Sequence, residues 1–254
     1  MERAARSERS RYRDESTIHW AASQTRPLLM IPGPTELPHP VVEAMSQPAA
    51  IQYDSSFDDG VLEPTMSALR EIFQTRHEVV LLPGSGRTAL EAAATSVIEP
   101  GDRVLVVTAG VFGRLMREII ARVGGSISEF AVEPGQELDY DRLAEEAARI
   151  RPKAITLVHN ETSTGATYKA GVVGDIAGSV GALFILDAVS SLGGIEVRTD
   201  DWNVDLCVTG SQKCLAAPLG MAIVSVSDHA WHVMALRRRQ PSSYVYAPLR
   251  WQQL

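Results

Sequence analysis

From Pro27 onward, hydrophobic and polar positions follow two rhythms. Apolar runs of strand length occur at 78–82, 103–107, 126–132, 154–159, 182–187, 204–209 and 221–226. Most are near-continuous stretches of Val, Ile and Leu rather than strict alternations, which is how strands read when both faces are covered. Between several of them, apolar residues recur at helical spacing over 88–97, 114–123, 140–150 and 172–180. Strands alternating with helices imply crossover connections. The expected class is therefore α/β, with a mostly parallel sheet and helices on both faces. Glu99-Pro100-Gly101-Asp102 is turn chemistry between a helix and the next strand. In such a sheet, ligands bind at the carboxyl ends of the strands, so chemistry is sought in the polar residues that follow them.

Composition narrows this picture. The chain has 254 residues, 45% hydrophobic and 22% charged, enough for one large core or two small ones. Its formal net charge of −7 gives no general electrostatic reason to bind nucleic acid. Residues 1–26 stand apart: six Arg and four acids give a local +2, leaving about −9 for the rest. This segment has no apolar run of the kind a secretory leader carries, and the expectation is a solvated, poorly ordered tail. The domain division expected is thus 1–26 as tail and 27–254 as the ligand-binding domain. The uncharged run 214–227 is 14 residues long and contains Pro218 and Gly220, short of the roughly 20 residues of a membrane span. A cytoplasmic location is expected. Two cysteines, Cys207 and Cys214, make neither a disulfide framework nor a metal cluster, and the six histidines include no H-x-x-x-H pair.

Four loops after strands carry candidate chemistry. Pro83-Gly84-Ser85-Gly86-Arg87-Thr88-Ala89 opens a helix. Its glycines admit close backbone approach, and its helix N-terminus offers free N–H groups to a phosphate. Gly84-x-Gly86-x-x-Ala89 also fits a dinucleotide fingerprint. The next strand ends in Val107-Thr108-Ala109-Gly110, however, without the acid that a ribose requires. Asp187 ends an apolar strand, where a carboxylate is costly unless its charge is used. It could meet a protonated ring nitrogen, or simply cap the turn that follows. Lys213, in Thr209-Gly210-Ser211-Gln212-Lys213-Cys214, could be an amine nucleophile or a surface lysine. His159, before Asn160-Glu161-Thr162-Ser163-Thr164-Gly165, could be a base, a ring packed beside a cofactor, or a satisfied polar residue at the sheet edge.

Taken together, Gly84-Ser85-Gly86, Asp187 and Lys213 occur in that order, the last two 26 residues apart. The chain resembles the fold-type I pyridoxal-phosphate enzymes. More narrowly, it is similar to the class V aminotransferases of the alanine–glyoxylate and serine–glyoxylate kind. The resemblance is carried by Pro32-Gly33-Pro34-Thr35, Gly84 through Ala92, Glu161 through Gly165, Asp187 through Gly194 and Gly210-Ser211-Gln212-Lys213. It implies pyridoxal 5'-phosphate as cofactor, and it implies roles. Lys213 would anchor the cofactor and move the substrate proton, and Asp187 would keep the ring nitrogen protonated. Ser85, Gly86, Arg87 and Gln212 would hold the phosphate. Thr162 would lie near the ring hydroxyl, Val189 beneath the ring and Phe112 stacked upon it, although Val189 and Phe112 could equally be core. Some relatives carry Trp at the position of Phe112 and His at that of Arg87.

The stretch Met45 through Phe57 and the Gln212-Lys213-Cys214-Leu215 run look most like the (S)-ureidoglycine–glyoxylate aminotransferases of purine breakdown. Pro34 and Gln52 would then face the substrate. A side-chain amide both donates and accepts, which suits a ureido group, although Gln52 could be a loop residue at a subunit interface. Alanine or serine is the other donor implied. The resemblance further implies a homodimer. In relatives, a smaller C-terminal domain carries the arginine that clamps the substrate carboxylate, and no residue up to Leu254 inherits that role. An active aminotransferase and a cofactor-binding fragment without turnover are both open expectations.

Overall fold

In the computed structural model, the described residues are 28–48, 50–51, 53–241 and 243–248. The expected tail, 1–26, lies outside them. The chain divides into two compact units, Met1–Met30 and Ile31–Leu254, and the second contains every element below.

A short helix α1 (His39–Met45) is followed by a helical turn at Ser55–Phe57, a π-helical stretch at Asp58–Leu62 and helix α2 (Glu63–Phe73). Then come β1 (Glu78–Gly84), α3 (Gly86–Val97), β2 (Arg103–Thr108), α4 (Val111–Arg122), β3 (Ser126–Ala131) and α5 (Tyr140–Ile150). After β4 (Ala154–Val158), a small hairpin is formed by β5 (Asn160–Glu161) and β6 (Ala166–Thr167). The remaining elements are α6 (Ala170–Val180), β7 (Leu183–Asp187), β8 (Leu206–Gly210), β9 (Gly220–Val226) and α7 (Asp228–Ala235).

Seven strands form one sheet in the order β1-β9-β8-β7-β4-β2-β3. All neighbours are parallel except β9, which runs antiparallel to both β1 and β8. Two cores sandwich the sheet. Leu105, Ile155, Phe184, Leu186 and Cys207 point to the face covered by α2, α5 and α6. Val104, Val106, Leu183, Ile185 and Val208 point to the face covered by α3, α4 and α7. Successive strand residues alternate between the two faces, and both faces are apolar, so the runs read as continuous.

All seven strands and all four helices expected from the pattern are present, with end shifts of a few residues. The β5–β6 hairpin and α1, α2 and α7 were not expected. Gly60 and Pro64 interrupt the helical pattern before and within α2, and helix entry there is set locally by Asp54, which accepts from the Ser56 N–H at 2.8 Å. Ser227 caps α7 in the same way, accepting from the Ala230 N–H at 3.0 Å. Helix α4 begins at Val111, three residues before the expected Arg114, and so takes Phe112 into its first turn.

Helix α6 supplies a stability test. At Gly174 an added Cβ would fall on the carbonyl oxygen of Trp202, whereas at Gly178 it would meet nothing within 4 Å. Gly178→Ala should raise stability by up to about 1 kcal/mol through helix propensity. Gly174→Ala should lower it by about 2 kcal/mol or more, because backbone must move. Thermal unfolding of the two variants should therefore shift in opposite directions.

Candidate functional site

The loops leaving the carboxyl ends of β1, β4, β7 and β8 converge on one cleft of about 290 Å³. Its walls hold Ser85, Gly86 and Arg87 after β1, Thr162 after β4, Asp187 at the end of β7 and Val189 just after it, and Gln212 and Lys213 after β8. Phe112 enters from the first turn of α4, and Pro34 from the N-terminal strap, residues 31–36. Ten of the eleven site residues named from sequence thus surround one space. The eleventh, Gln52, lies outside the described residues.

The β1–α3 turn is built for close approach. Gly84 has φ +145°, and a Cβ there would overlap the Thr88 side chain. The Thr88 Oγ1 accepts from the Ser85 N–H at 3.1 Å, which sets the entry to the helix. At Gly86 a Cβ would come within 2.6 Å of Val189 Cγ2. Glycine lets the helix N-terminus pack flat against Val189, leaving first-turn N–H groups without intrahelical acceptors.

Asp187 is buried and receives the Val189 N–H on Oδ1 at 2.9 Å. Burial pushes its carboxyl up to about 6, opposed by that hydrogen bond and by the Lys213 charge and reinforced by Glu161. A negative charge held here favours a cationic partner.

Lys213 sits in a loop fastened at its base by Ser211, whose N–H reaches the Met221 carbonyl at 3.1 Å and whose hydroxyl donates to the Pro218 carbonyl at 2.5 Å. The N-terminal strap holds the same loop from the other side. The Thr35 N–H donates to the Gln212 carbonyl at 3.1 Å, and its hydroxyl to the Lys213 carbonyl at 3.1 Å. Lys213 Nζ donates to the Pro32 carbonyl at 3.5 Å. Gly33, at φ +145° before a cis bond to Pro34, runs so close that a Cβ would stand 2.5 Å from Lys213 Cδ. Beside it, Gln212 Oε1 is buried with no hydrogen-bond partner among the described residues. A buried amide oxygen without a donor is costly.

Several residues resolve differently from their sequence alternatives. His159 does not line the cleft. It is buried, its Nδ1 lies 3.0 Å from Ser191 Oγ, and its ring stands edge-on to Trp202 at 5.3 Å between centroids. Burial lowers it to about 4, so it is neutral and satisfied rather than a base. Burial pushes the Cys207 thiol up to about 12, which makes it inert. Asn160 and Ser190, absent from the candidates, line the cleft, and Ser190 Oγ lies 2.7 Å from Thr162 Oγ1. Both belong to the polar stretches after β4 and β7, and their place there was the available signal.

Asp187 and His159 together give a pH test. The folded chain holds the Asp187 proton more tightly than the unfolded chain, so its contribution falls as pH rises from about 4 to about 6. The penalty above that range is on the order of 3 kcal/mol. His159 acts in the opposite sense: its contribution is lost as pH falls from about 6.5 towards 4. The two offset one another in the wild type. Asp187→Asn should therefore melt higher than wild type at pH 8 without ligand, and should show stability rising steadily from pH 4 to 6.5. Equal melting profiles for the two proteins would count against a buried, unpaired Asp187 charge.

The family model for class-V aminotransferases matches residues 28–239. The (S)-ureidoglycine–glyoxylate transaminase of Bacillus subtilis is 38% identical over 83% of this chain and 51% of its own length. The alanine–glyoxylate aminotransferase of Mus musculus is 32% identical over 85% of this chain and 52% of its own. The chain thus spans about half the length of the curated relatives it matches. Among solved structures, the ureidoglycine–glyoxylate aminotransferase of Bacillus subtilis aligns with a TM-score of 0.86 at 36% identity, covering 91% of this chain and 60% of that one. The alanine–glyoxylate aminotransferase of a Nostoc species aligns at 0.83 and 31%, covering 89% and 61%. The family match and the shared α/β architecture lead to one conclusion: the chain belongs to the class-V aminotransferase family.

Proposed function

We propose that this chain carries the cofactor site of a pyridoxal-phosphate-dependent aminotransferase that passes an amino group to glyoxylate, with (S)-ureidoglycine as preferred donor. The observation that carries the reading is the meeting of Lys213 and Asp187 with the N-terminus of α3 in one cleft.

The residues present fit the cofactor. A phosphate suits the free first-turn amides of α3, the Ser85 hydroxyl and Arg87. The Gln212 side-chain NH₂ can donate to the same phosphate. A protonated ring nitrogen suits the buried Asp187 carboxylate, whose desolvation cost it would offset. Val189 against Gly86 and Phe112 on α4 supply apolar walls for a flat ring, and Thr162, backed by Ser190, offers a hydroxyl. When bound, the group supplies an aldehyde for amine exchange and a ring that spreads the electron pair left at the donor carbon.

Lys213 then has two duties, to tether the group and to carry the proton at the donor carbon. Its loop, tied by Ser211 at the base and by Thr35 on the rim, keeps Nζ within reach while Nζ itself is held by a single 3.5 Å contact. In the overall exchange the donor becomes a carbonyl compound and glyoxylate becomes glycine. Gln52 is the residue proposed to select the ureido group. Similarity to alanine–glyoxylate aminotransferases keeps alanine as the competing donor. Exposed apolar side chains on and around the first helices, among them Val42, Met45, Val61 and Leu62, support homodimerisation through that surface.

Two tests follow. Borohydride treatment of protein mixed with pyridoxal phosphate should fix the cofactor on Lys213, read by peptide mass. Lys213→Ala should leave no labelled peptide, and equal labelling elsewhere would remove Lys213 as the anchor. For the donor, Gln52→Ala should cut kcat/KM for ureidoglycine about 5- to 150-fold, the worth of a lost buried polar contact, while alanine changes little. Equal loss for both donors would favour the alanine reading.

A further inference from the structure

Glu161 has no part in the chemistry just described, yet it is among the most buried charged groups of the molecule, with 0% of its surface exposed. No lysine or arginine pairs with it among the described residues. Its acceptor capacity goes instead to another part of the chain. The Phe112 N–H donates to Glu161 at 3.1 Å and the Gly113 N–H at 3.1 Å. The Ser163 hydroxyl donates to Glu161 Oε1 at 2.6 Å and its N–H at 3.2 Å. The Ser163 Oγ in turn accepts from the Val111 N–H at 3.0 Å. The first three amides of α4 are thus satisfied by side chains some fifty residues along the chain, while its own N-cap, Gly110, offers no side chain. The fit leaves no slack, because a Cβ at Gly110 would overlap the Glu161 carboxyl group.

An ordinary N-cap is local, its side chain accepting from an amide two or three residues on. This one costs the desolvation of a carboxylate, and the residues it joins are walls of the cleft: Phe112 on α4, and Thr162 and Asn160 on either side of Glu161 itself. We propose that Glu161 is a positioning residue for cofactor binding: by pinning the α4 N-terminus to β5 and the loop after it, it sets the Phe112 ring against the Thr162 side of the cleft. The proposal rests on the reading of the cleft as a pyridoxal-phosphate site. It also accounts for α4 starting at Val111 rather than three residues later.

The test uses the whole chain and three substitutions: Glu161→Gln, Phe112→Ala and the pair together. Gln keeps the size but loses the charge and presents an NH₂ where two amides need acceptors. The dissociation constant for pyridoxal phosphate, followed by the visible circular dichroism of the bound group, should rise roughly tenfold for Glu161→Gln. In the Phe112→Ala background the same change should add less than about twofold, because a residue that acts through Phe112 has nothing left to position. Hydrogen exchange without cofactor should quicken at the Phe112 and Gly113 amides and stay unchanged in β7. Additive losses, or unchanged affinity in Glu161→Gln, would overturn the proposal. Where Glu161→Gln does not fold, Ser163→Ala carries the same cycle, removing the hydroxyl that joins the carboxylate to the Val111 amide, and the same two outcomes decide. Failure of the unsubstituted chain to bind pyridoxal phosphate would instead strike the reading of the site, and the exchange measurement would still decide whether Glu161 holds α4.

Discussion

A carboxylate held out of water at the end of a central strand is the constraint to which the rest of this molecule answers. Asp187 closes β7 with apolar strands on either side and one backbone N–H for company. Such a group either raises its affinity for a proton or finds a cation, and the ligand-free chain takes the first course. Everything around it can be read as preparation for the second. The helix N-terminus of α3, the amide of Gln212 and the amine of Lys213 stand within the same cleft, so a ligand with one cationic and one anionic end would satisfy several costly groups at once.

The sheet topology explains why these groups meet. β1, β4, β7 and β8 all deliver their carboxyl ends to one edge, because β9, antiparallel to both β1 and β8, lies between them. Insertion of one reversed strand lets the chain return without a crossover helix, and the β8–β9 connection becomes a compact loop rather than a helix. That loop is where Lys213 lies, and a short tied loop holds an amine more narrowly than a long one. The cost of an unsupported loop is met by Ser211, which bonds both of its limbs.

Much of this was legible in the sequence. The buried strands announced themselves because Val, Ile and Leu were needed on both faces. Gly84, Gly86, Asp187 and Lys213 stood out because each is an awkward choice unless a ligand explains it. What escaped has a common cause. The start of α4 depends on acceptors at Glu161 and Ser163, some fifty positions away, so no local pattern around Gly110 could place it. His159 read as a possible base because its neighbours along the chain are polar. Its real surroundings, Ser191 and Trp202, come from other segments. Helix α2 was hidden by Gly60 and Pro64, residues tolerated where a wider π-helical turn precedes a regular one.

The strap that crosses the Lys213 loop has a consequence for how the molecule comes into being. Thr35 is bonded to a partner 178 positions further on. On a ribosome adding about 5–20 residues per second, that interval is roughly 10–35 s, during which the N-terminal strap has emerged and its partner has not. Six of the seven strands of the sheet, and the glycine turn after β1, are synthesised in that interval. The glycine turn and the amine are thus separated in time before they are joined in space. Thr35 can therefore fasten the strap to the Lys213 loop only after most of the sheet has been made.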